Sequence, residues 1–489
     1  MKKRTKEIIL LFLFLIILES LYLFFNSRIT DLIGVDIYFH YDLANAVLNN
    51  FPDLPLSIPM IGEKTLFGYS PLAYFSMVCL NKLSGLSLIN IMKYLPGIAL
   101  FFISINLYVY FRLINKRFAF IRTLIFIINP LVFTIFFFVG SIGRILALFF
   151  LSILLILIEK YLRRKKRSYV LLMGFVFGLI ILTHIIAAYI SGGILAYLFL
   201  VNYFNKKETD FCISILIGLV IAGPWLIHIF LNFGIFYLVK IFFVSKYSLF
   251  AYLSLLIILI ILFYHLKNKK LPDTKVILFI LSLVTMALDI FSIAISIFFP
   301  RKGLKRLNKY KVLCSIIGIL IFTGTWFLII ESDMFVKMNQ DKSDAMEWIR
   351  KNTSPSSSVY VYLEQRYIKT KTINEIFMQK FSDVFFKDMP FFSHCYVPAY
   401  ANRTVYTYIG YVWSLDSKRH RIYREFAQEY CAENFFKVSL RHKVYPDYIV
   451  LEKYSKERKH TDNFCNDFIG ENFRNVFEND KVRIIKVEY

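Results

Sequence analysis

Two residues just after the first long apolar run have the types and the spacing for acid–base chemistry. Asp36 and His40 lie four positions apart, which on a helix places both side chains on one face. A carboxylate there could act as the general base that activates a hydroxyl nucleophile, with His40 orienting the base or the substrate. A structural role fits the same spacing, with Asp36 as a helix N-cap or surface acid and Asp42 as an ordinary neighbour.

Two further polar residues, Arg144 and His184, fall near the ends of apolar segments. An arginine at such a place could hold a phosphate group through two parallel hydrogen bonds. A histidine near the end of a membrane span is a functional candidate, because polar groups are costly there. The alternatives are an arginine that only reaches to the membrane interface, and a histidine that only bonds a neighbouring helix.

The composition indicates that a membrane positions these residues. Of the 489 residues, 57% are hydrophobic and 19% are charged, and the mean hydropathy is +0.56. Soluble domains are about 45–50% apolar and about 25% charged. The net charge of +24 falls largely in short clusters between apolar runs, so the positive-inside rule explains it better than nucleic-acid binding does. The expected fold class is an α-helical integral membrane protein.

Runs of about 20 apolar residues, the length that crosses a bilayer, predict transmembrane helices within residues 1–331. The runs lie at about 8–25, 91–113, 118–138, 141–161, 168–185, 187–204, 211–232, 248–266, 276–299 and 312–331, and a shorter, marginal run at 234–245 brings the expected number of spans to about eleven. The basic blocks Arg163–Arg167 and Arg301–Lys311 are expected in the cytoplasm, which makes the N-terminus cytoplasmic as well. Among the basic clusters between spans, the weaker one at Lys267–Lys275 is then left outside. Residues 27–90 then form a large external loop, with Pro71–Leu83 as an amphipathic helix at the outer interface.

After Glu331 the composition becomes polar, and residues 332–489 are expected to form a soluble extracytoplasmic α+β domain. Asp344–Arg350 is typical of a helix, and three short apolar segments are typical of strands: Val359–Leu363, Tyr448–Leu451 and Val482–Val487. Three of the six cysteines lie here (Cys395, Cys431 and Cys465), so at most one disulfide can form within the domain. Acceptor binding and a purely structural role are both open for it.

The order of several short motifs resembles the N-terminal module of GT-C membrane glycosyltransferases. After Asp36-x-x-x-His40 come Phe67-Gly-Tyr-Ser-Pro-Leu-Ala-Tyr-Phe75, Lys93-Tyr-Leu-Pro-Gly97, Asn129-Pro-Leu131, Ser141-Ile-Gly-Arg144 and Leu182-Thr-His-Ile-Ile-Ala187. These motifs cover about residues 1–190. Within the superfamily they are most similar to prokaryotic multi-spanning proteins labelled as related to 6-pyruvoyl-tetrahydropterin synthase, a label that implies no pterin chemistry.

The resemblance implies an inverting glycosyltransferase of the cell membrane. Such enzymes move a sugar from a polyprenyl-phosphate donor to a glycan, lipid or protein acceptor outside the membrane, and nucleic acid is not expected as a partner. By position Asp36 matches the family's catalytic acid, with His40 beside it. Expected substrate contacts are Tyr69, Asp42, Arg144 and His184. The sequence indicates no cofactor, and a divalent cation stays open, because one acid and one histidine are too few ligands from which to infer one.

Two other functional classes stay open. A non-catalytic membrane protein of the same fold, binding lipid or glycan, would tolerate the substitution Asp36→Asn. A secondary transporter would be favoured by inverted repeats with paired broken helices, and the sequence has no convincing internal repeat.

Overall fold

The computed structural model divides the chain into two compact units. The first unit comprises Met1–His40, Val47–Leu54 and Gly68–Phe335, and the second comprises Tyr41–Ala46, Pro55–Phe67 and Val336–Tyr489. The residues that the structure describes are 3–27, 37–55, 57–58, 65–66, 68–129, 132, 141–206, 209–233, 293, 296, 303–304, 307–331, 340–354, 356–362, 404–406, 436–437, 439–441, 443, 445–452, 472–479 and 482–489.

Long helices make up the described part of the first unit. In chain order they are α1 (Lys3–Ser27), α2 (Ile37–Asn50, which the second unit shares), α3 (Leu72–Ser84), α4 (Leu88–Ile114), α5 (Ala119–Ile127), α6 (Ile142–Arg164), α7 (Arg167–Thr183), α8 (Ile185–Lys206), α9 (Asp210–Phe233) and α10 (Lys311–Glu331). Within the described residues, five helices are long and apolar enough to cross a membrane, and α7 and part of α10 are shorter apolar helices.

The chain is therefore a helical membrane protein, as its composition predicts. The number of spans stays a prediction, because the runs at 234–245, 248–266 and 276–299 lie outside the described residues except for Ile293 and Ser296. The amphipathic segment predicted at Pro71–Leu83 is helical, as α3.

Helix α1 is held to α4 near one end and to α10 near the other. The hydroxyl of Tyr22 and the side-chain amide of Asn26 both donate to the carbonyl oxygen of Lys93, at 2.5 and 3.0 Å. A glycine is needed one turn further along α4, since a Cβ atom on Gly97 would lie 2.4 Å from the Tyr22 ring. An ion pair joins Glu7 on α1 to Lys311 at the start of α10.

Helices α7 and α9 pack closely because two glycines four positions apart face the partner helix. A Cβ atom on Gly174 would lie 2.6 Å from the Cβ of Ile217, and one on Gly178 would lie 2.8 Å from the Cβ of Ile221. Small residues at this spacing let the backbones of two membrane helices approach, which increases van der Waals contact where lipid supplies no hydrophobic driving force. This contact fixes the C-terminal end of α7, from which His184 extends.

The described part of the second unit contains two sheets. The smaller one pairs β1 (Ser57–Ile58) with β2 (Thr65–Leu66), and the larger, mixed one consists of β3 (Ser358–Tyr362), β4 (Thr404–Tyr406), β5 (Tyr448–Glu452), β6 (Phe473–Glu478) and β7 (Val482–Val487). The larger sheet has the order β4-β3-β5-β7-β6, parallel from β4 to β5 and antiparallel from β5 to β6.

Within the described residues, helix α11 (Gln340–Asn352) packs against β6 and β7 of the larger sheet. The helix buries Met346 and Ile349, and the sheet buries residues such as Val359 and Ile484. The strands predicted from the sequence at Val359–Leu363, Tyr448–Leu451 and Val482–Val487 coincide with β3, β5 and β7.

Candidate functional site

His40 is held in the first turn of α2 by a tyrosine of α3. The His40 side chain is 1% exposed, and its Nδ1 lies 2.7 Å from the hydroxyl oxygen of Tyr74, which is 0% exposed. A buried tyrosine hydroxyl usually requires a hydrogen-bond partner, and the imidazole supplies it. This bond joins the predicted interface helix α3 to the helix that follows Asp36.

Tyr69 completes an aromatic group with these two residues. Its ring lies edge-on to the rings of His40 and Tyr74, with centroid distances of 5.6 and 5.8 Å. The rings of His40 and Tyr74 are stacked at 5.9 Å. Edge-to-face and offset pairs of this kind stabilise a fixed arrangement beyond the apolar area that they bury. We call His40, Tyr69 and Tyr74 the aromatic triad.

The N-terminus of α6 meets the triad through a glycine. A Cβ atom on Gly143 would lie 3.0 Å from the carbonyl oxygen of Thr183, 3.7 Å from Cε1 of Tyr69 and 3.8 Å from the Cβ of Ala73. The contact with the Thr183 carbonyl is tighter than nearly all Cβ contacts, so a side chain at position 143 would require these segments to shift apart. Arg144 follows directly and is half-buried.

His184 lies in the short extended link between α7 and α8, beside the same helix end. Its side chain is 6% exposed, and its Nδ1 is buried without a hydrogen-bond partner among the described residues. The side chain is close enough to interact electrostatically with both Arg144 and His40. A further hydrogen bond joins the segment before α3 to the end of α7, where the hydroxyl of Ser70 donates to the carbonyl oxygen of Ile181 at 3.3 Å.

The electrostatic environment keeps the His40 imidazole neutral. Burial, and secondly the nearby charge of His184, lower the pKa of His40 to about 3. At neutral pH one ring nitrogen of His40 therefore carries a proton and can donate a hydrogen bond, while the other can accept a hydrogen bond, so the ring can orient a neighbour without adding charge. Arg144, by contrast, is permanently cationic.

Asp42 belongs to the second compact unit. It is 7% exposed, and its Oδ2 atom is buried without a hydrogen-bond partner in the described part of the chain. Burial raises the pKa of Asp42 well above its ordinary value, because the charged form is poorly solvated. The environment therefore favours a neutral carboxylic acid, which can donate a hydrogen bond.

Of the six residues predicted to form the site, four meet in the first unit. These are His40, Tyr69, Arg144 and His184, although they come from segments far apart in the sequence. Asp36 lies outside the described residues. Within the described residues, no three His, Cys, Asp or Glu side chains come together as a metal-binding group.

Tyr74 and Gly143 lie within the quoted motifs, but the sequence does not indicate their roles. Tyr74 bonds His40 on another helix, and Gly143 lies against the carbonyl of Thr183 at the end of the next helix, so both roles depend on contacts between separate segments.

Comparison with known proteins identifies the architecture. No protein-family model matches the sequence, and no curated protein matches it significantly. Among solved structures, the oligosaccharyltransferase of Archaeoglobus fulgidus superposes with a TM-score of 0.59 at 13% identity, covering 92% of this chain and 70% of that one. ArnT from Cupriavidus metallidurans, bound to undecaprenyl phosphate, gives a TM-score of 0.55 at 11% identity and covers 97% of both chains. The chain has the GT-C fold.

A third GT-C neighbour shows that this fold is shared with much larger proteins. The mycobacterial arabinofuranosyltransferase AftD gives a TM-score of 0.52 at 12% identity, covering 98% of this chain and 40% of that one. The alignment with AftD therefore includes residues beyond those whose motifs carry the resemblance. At identities of 11–13%, these superpositions show the fold alone. The roles of the site residues therefore have to be argued from their own chemistry.

Proposed function

We propose that this protein is an inverting glycosyltransferase that moves a sugar from a polyprenyl-phosphate donor to an acceptor outside the membrane. The observation that carries the proposal is the meeting of Arg144 and His184 beside the aromatic triad. A permanent cation and a buried imidazole nitrogen without a partner form a place suited to an anion. The triad in turn fixes the start of the helix that follows Asp36.

Sugar transfer requires a base at the acceptor and positive charge at the leaving group. A sugar hydroxyl has a pKa far above neutrality, so a carboxylate within hydrogen-bond reach has to remove its proton as the new bond forms. Asp36 is the proposed base, and direct attack with one such base inverts the anomeric carbon, as in inverting glycosidases. His40 is the proposed orienting partner, one helical turn further on.

The leaving phosphate gains negative charge in the transition state. Hydrogen-bond donors and cations already in place where that charge develops lower the barrier, because they need no rearrangement during the reaction. Arg144 and His184 are the proposed donors to the phosphate oxygens, and Tyr69 and Asp42 the proposed contacts to the sugar.

The structural neighbours support the donor class. The ArnT structure is bound to undecaprenyl phosphate, and the archaeal oligosaccharyltransferase has been solved with an inhibitory peptide and a dolichol-phosphate. We further propose eleven membrane spans, a cytoplasmic N-terminus and an extracytoplasmic C-terminal domain over residues 332–489 that binds the acceptor. The narrower relation to the proteins labelled 6-pyruvoyl-tetrahydropterin synthase-related belongs to the same proposal.

The proposal is tested by turnover of synthetic undecaprenyl-phosphate sugars. The full-length protein in detergent is incubated with a panel of undecaprenyl-phosphate hexoses and pentoses and an extract of host glycolipids as acceptors, and release of undecaprenyl phosphate is measured by mass spectrometry. We expect release from at least one donor, and a loss of 10²-fold or more in Asp36→Asn, the usual range for removing a general base.

A matched control is available in the same part of the chain. Asp53 is an exposed acid shortly after α2, and Asp53→Asn removes the same charge without touching the proposed site. Full activity in Asp36→Asn, or equal loss in both variants, would contradict the role of Asp36. Absence of turnover with every donor of the panel would contradict the proposed donor class.

A further inference from the structure

The turn between α6 and α7 presents a run of exposed cations. Arg163–Arg167 are five consecutive basic residues, and all five side chains are exposed. They lie at the opposite end of α6 from Arg144, so they take no part in the proposed transfer site. Five adjacent positive charges repel one another, and such a group is stable only with counter-ions nearby.

Two of the five residues hold the turn in place. The guanidinium of Arg163 donates to the carbonyl oxygen of Leu113, and its Nε lies 3.5 Å from Oε2 of Glu159. Lys165 adopts a left-handed backbone conformation with φ of 51°, and its ammonium lies 4.8 Å from the ring centroid of Tyr161. These contacts fix the backbone from which the other three side chains project.

The remaining three cations are exposed and have no protein counter-ion among the described residues. They are Arg164, Lys166 and Arg167. The bond from Arg163 to Leu113 brings the turn after α4 alongside, and that turn adds Lys116 and Arg117, which are exposed as well. The two turns together form what we call the basic turn pair.

We propose that the basic turn pair binds the phosphodiester headgroup of an anionic membrane lipid. Helix α6 is apolar enough to cross the membrane and ends at Arg164, so the cations lie at the level of the lipid headgroups. Guanidinium groups suit phosphate because they donate two parallel hydrogen bonds. Each basic side chain near an anionic surface contributes about 1 kcal/mol, roughly a fivefold gain in affinity.

This proposal goes beyond the orienting effect of positive charge on membrane topology. Orientation depends on the number of Lys and Arg residues near a span and requires no particular lipid. The contact of Arg163 with the carbonyl of Leu113, in contrast, holds the two turns next to each other, so that their exposed cations lie at the same end of α4 and α6. A fixed arrangement should prefer an anionic lipid over a zwitterionic one, and the preference should fall as salt screens the charges.

The experiment measures lipid binding to the full-length protein in neutral detergent by native mass spectrometry. Dioleoyl phosphatidylglycerol is the anionic probe, dioleoyl phosphatidylcholine the zwitterionic probe, and inorganic phosphate a competing free anion. We expect the wild type to retain phosphatidylglycerol in preference to phosphatidylcholine, with no displacement by phosphate. The triple variant R164Q/K166Q/R167Q should bind phosphatidylglycerol roughly a hundredfold more weakly, at about fivefold for each cation removed.

Two further variants separate a bound headgroup from general charge and from misfolding. The variant R350Q/K351Q/K486Q removes the same charge from three exposed positions of the second unit and should bind phosphatidylglycerol as the wild type does. Lys166→Gln alone leaves four of the five cations to orient the chain and should cost about fivefold in affinity.

Three results would overturn the proposal. They are unchanged binding in both K166Q and the triple variant, an equal loss in the control variant, and complete displacement of the lipid by inorganic phosphate. None of these bears on turnover of a polyprenyl-phosphate sugar, so the proposed transferase activity is tested separately.

Discussion

The neutral state of His40 gives a prediction about stability at low pH. Burial lowers the pKa of His40 from 6.5 to about 3, so the folded chain binds a proton at this site far less readily than the unfolded chain. A group whose pKa is lowered by folding contributes stability that is present above its unfolded pKa. That contribution is lost as the pH falls from 6.5 towards 3. At pH 5 the unfolded imidazole is almost fully protonated, and the cost is about 2 kcal/mol relative to pH 8.

The variant His40→Gln isolates this contribution. Glutamine does not titrate and can still form a hydrogen bond with the Tyr74 hydroxyl, so the aromatic packing is the main loss at pH 8. Thermal unfolding of the full chain in detergent, followed by tryptophan fluorescence, is measured for both proteins at pH 8 and pH 5. We expect the wild type to lose about 2 kcal/mol more than the variant between these values. An equal loss in both proteins would refute the neutral buried imidazole.

Three further substitutions test other parts of the structure. Tyr74→Phe removes the hydroxyl that bonds His40 and should destabilise the chain by about 1–3 kcal/mol while reducing turnover; unchanged melting would contradict it. Gly174→Ala introduces a Cβ 2.6 Å from Ile217 and should cost about 1–3 kcal/mol, whereas Gly223→Ala, which meets nothing within 4 Å, should be neutral or stabilising. Burial raises the pKa of Asp42, so the carboxyl group destabilises the folded chain increasingly as the pH rises above 3.8. Asp42→Asn should therefore melt at a higher temperature than the wild type at pH 8, and this difference should disappear towards pH 4.

The sequence predicts the membrane class and much of the local structure because these depend on short stretches of chain. Apolar runs of membrane length became α1, α4, α6, α8 and α9. Short apolar segments became β3, β5 and β7. Hydropathy and residue pattern are local properties, and a helix in lipid satisfies all its backbone hydrogen bonds within itself.

The candidate site was only partly predictable, because its geometry depends on contacts between distant segments. His40, Tyr69, Arg144 and His184 were singled out by residue type and motif order, and their proximity was not derivable from spacing. The contact that brings Arg144 towards His184 depends on Gly143 fitting against the carbonyl of Thr183. The role of Tyr74 was not predicted for the same reason, since its partner His40 lies on another helix.

The most direct test of the account is the pool of lipid-linked sugars in living cells. A strain of the native host lacking this protein is complemented with the wild type, with Asp36→Asn or with Asp53→Asn, and polyprenyl-phosphate sugars are quantified by mass spectrometry. We expect one polyprenyl-phosphate sugar to accumulate in the deletion strain and in the Asp36→Asn strain. Its level should return to normal in the strains that carry the wild type or Asp53→Asn. An unchanged lipid pool in the deletion strain, or full restoration by Asp36→Asn, would contradict it.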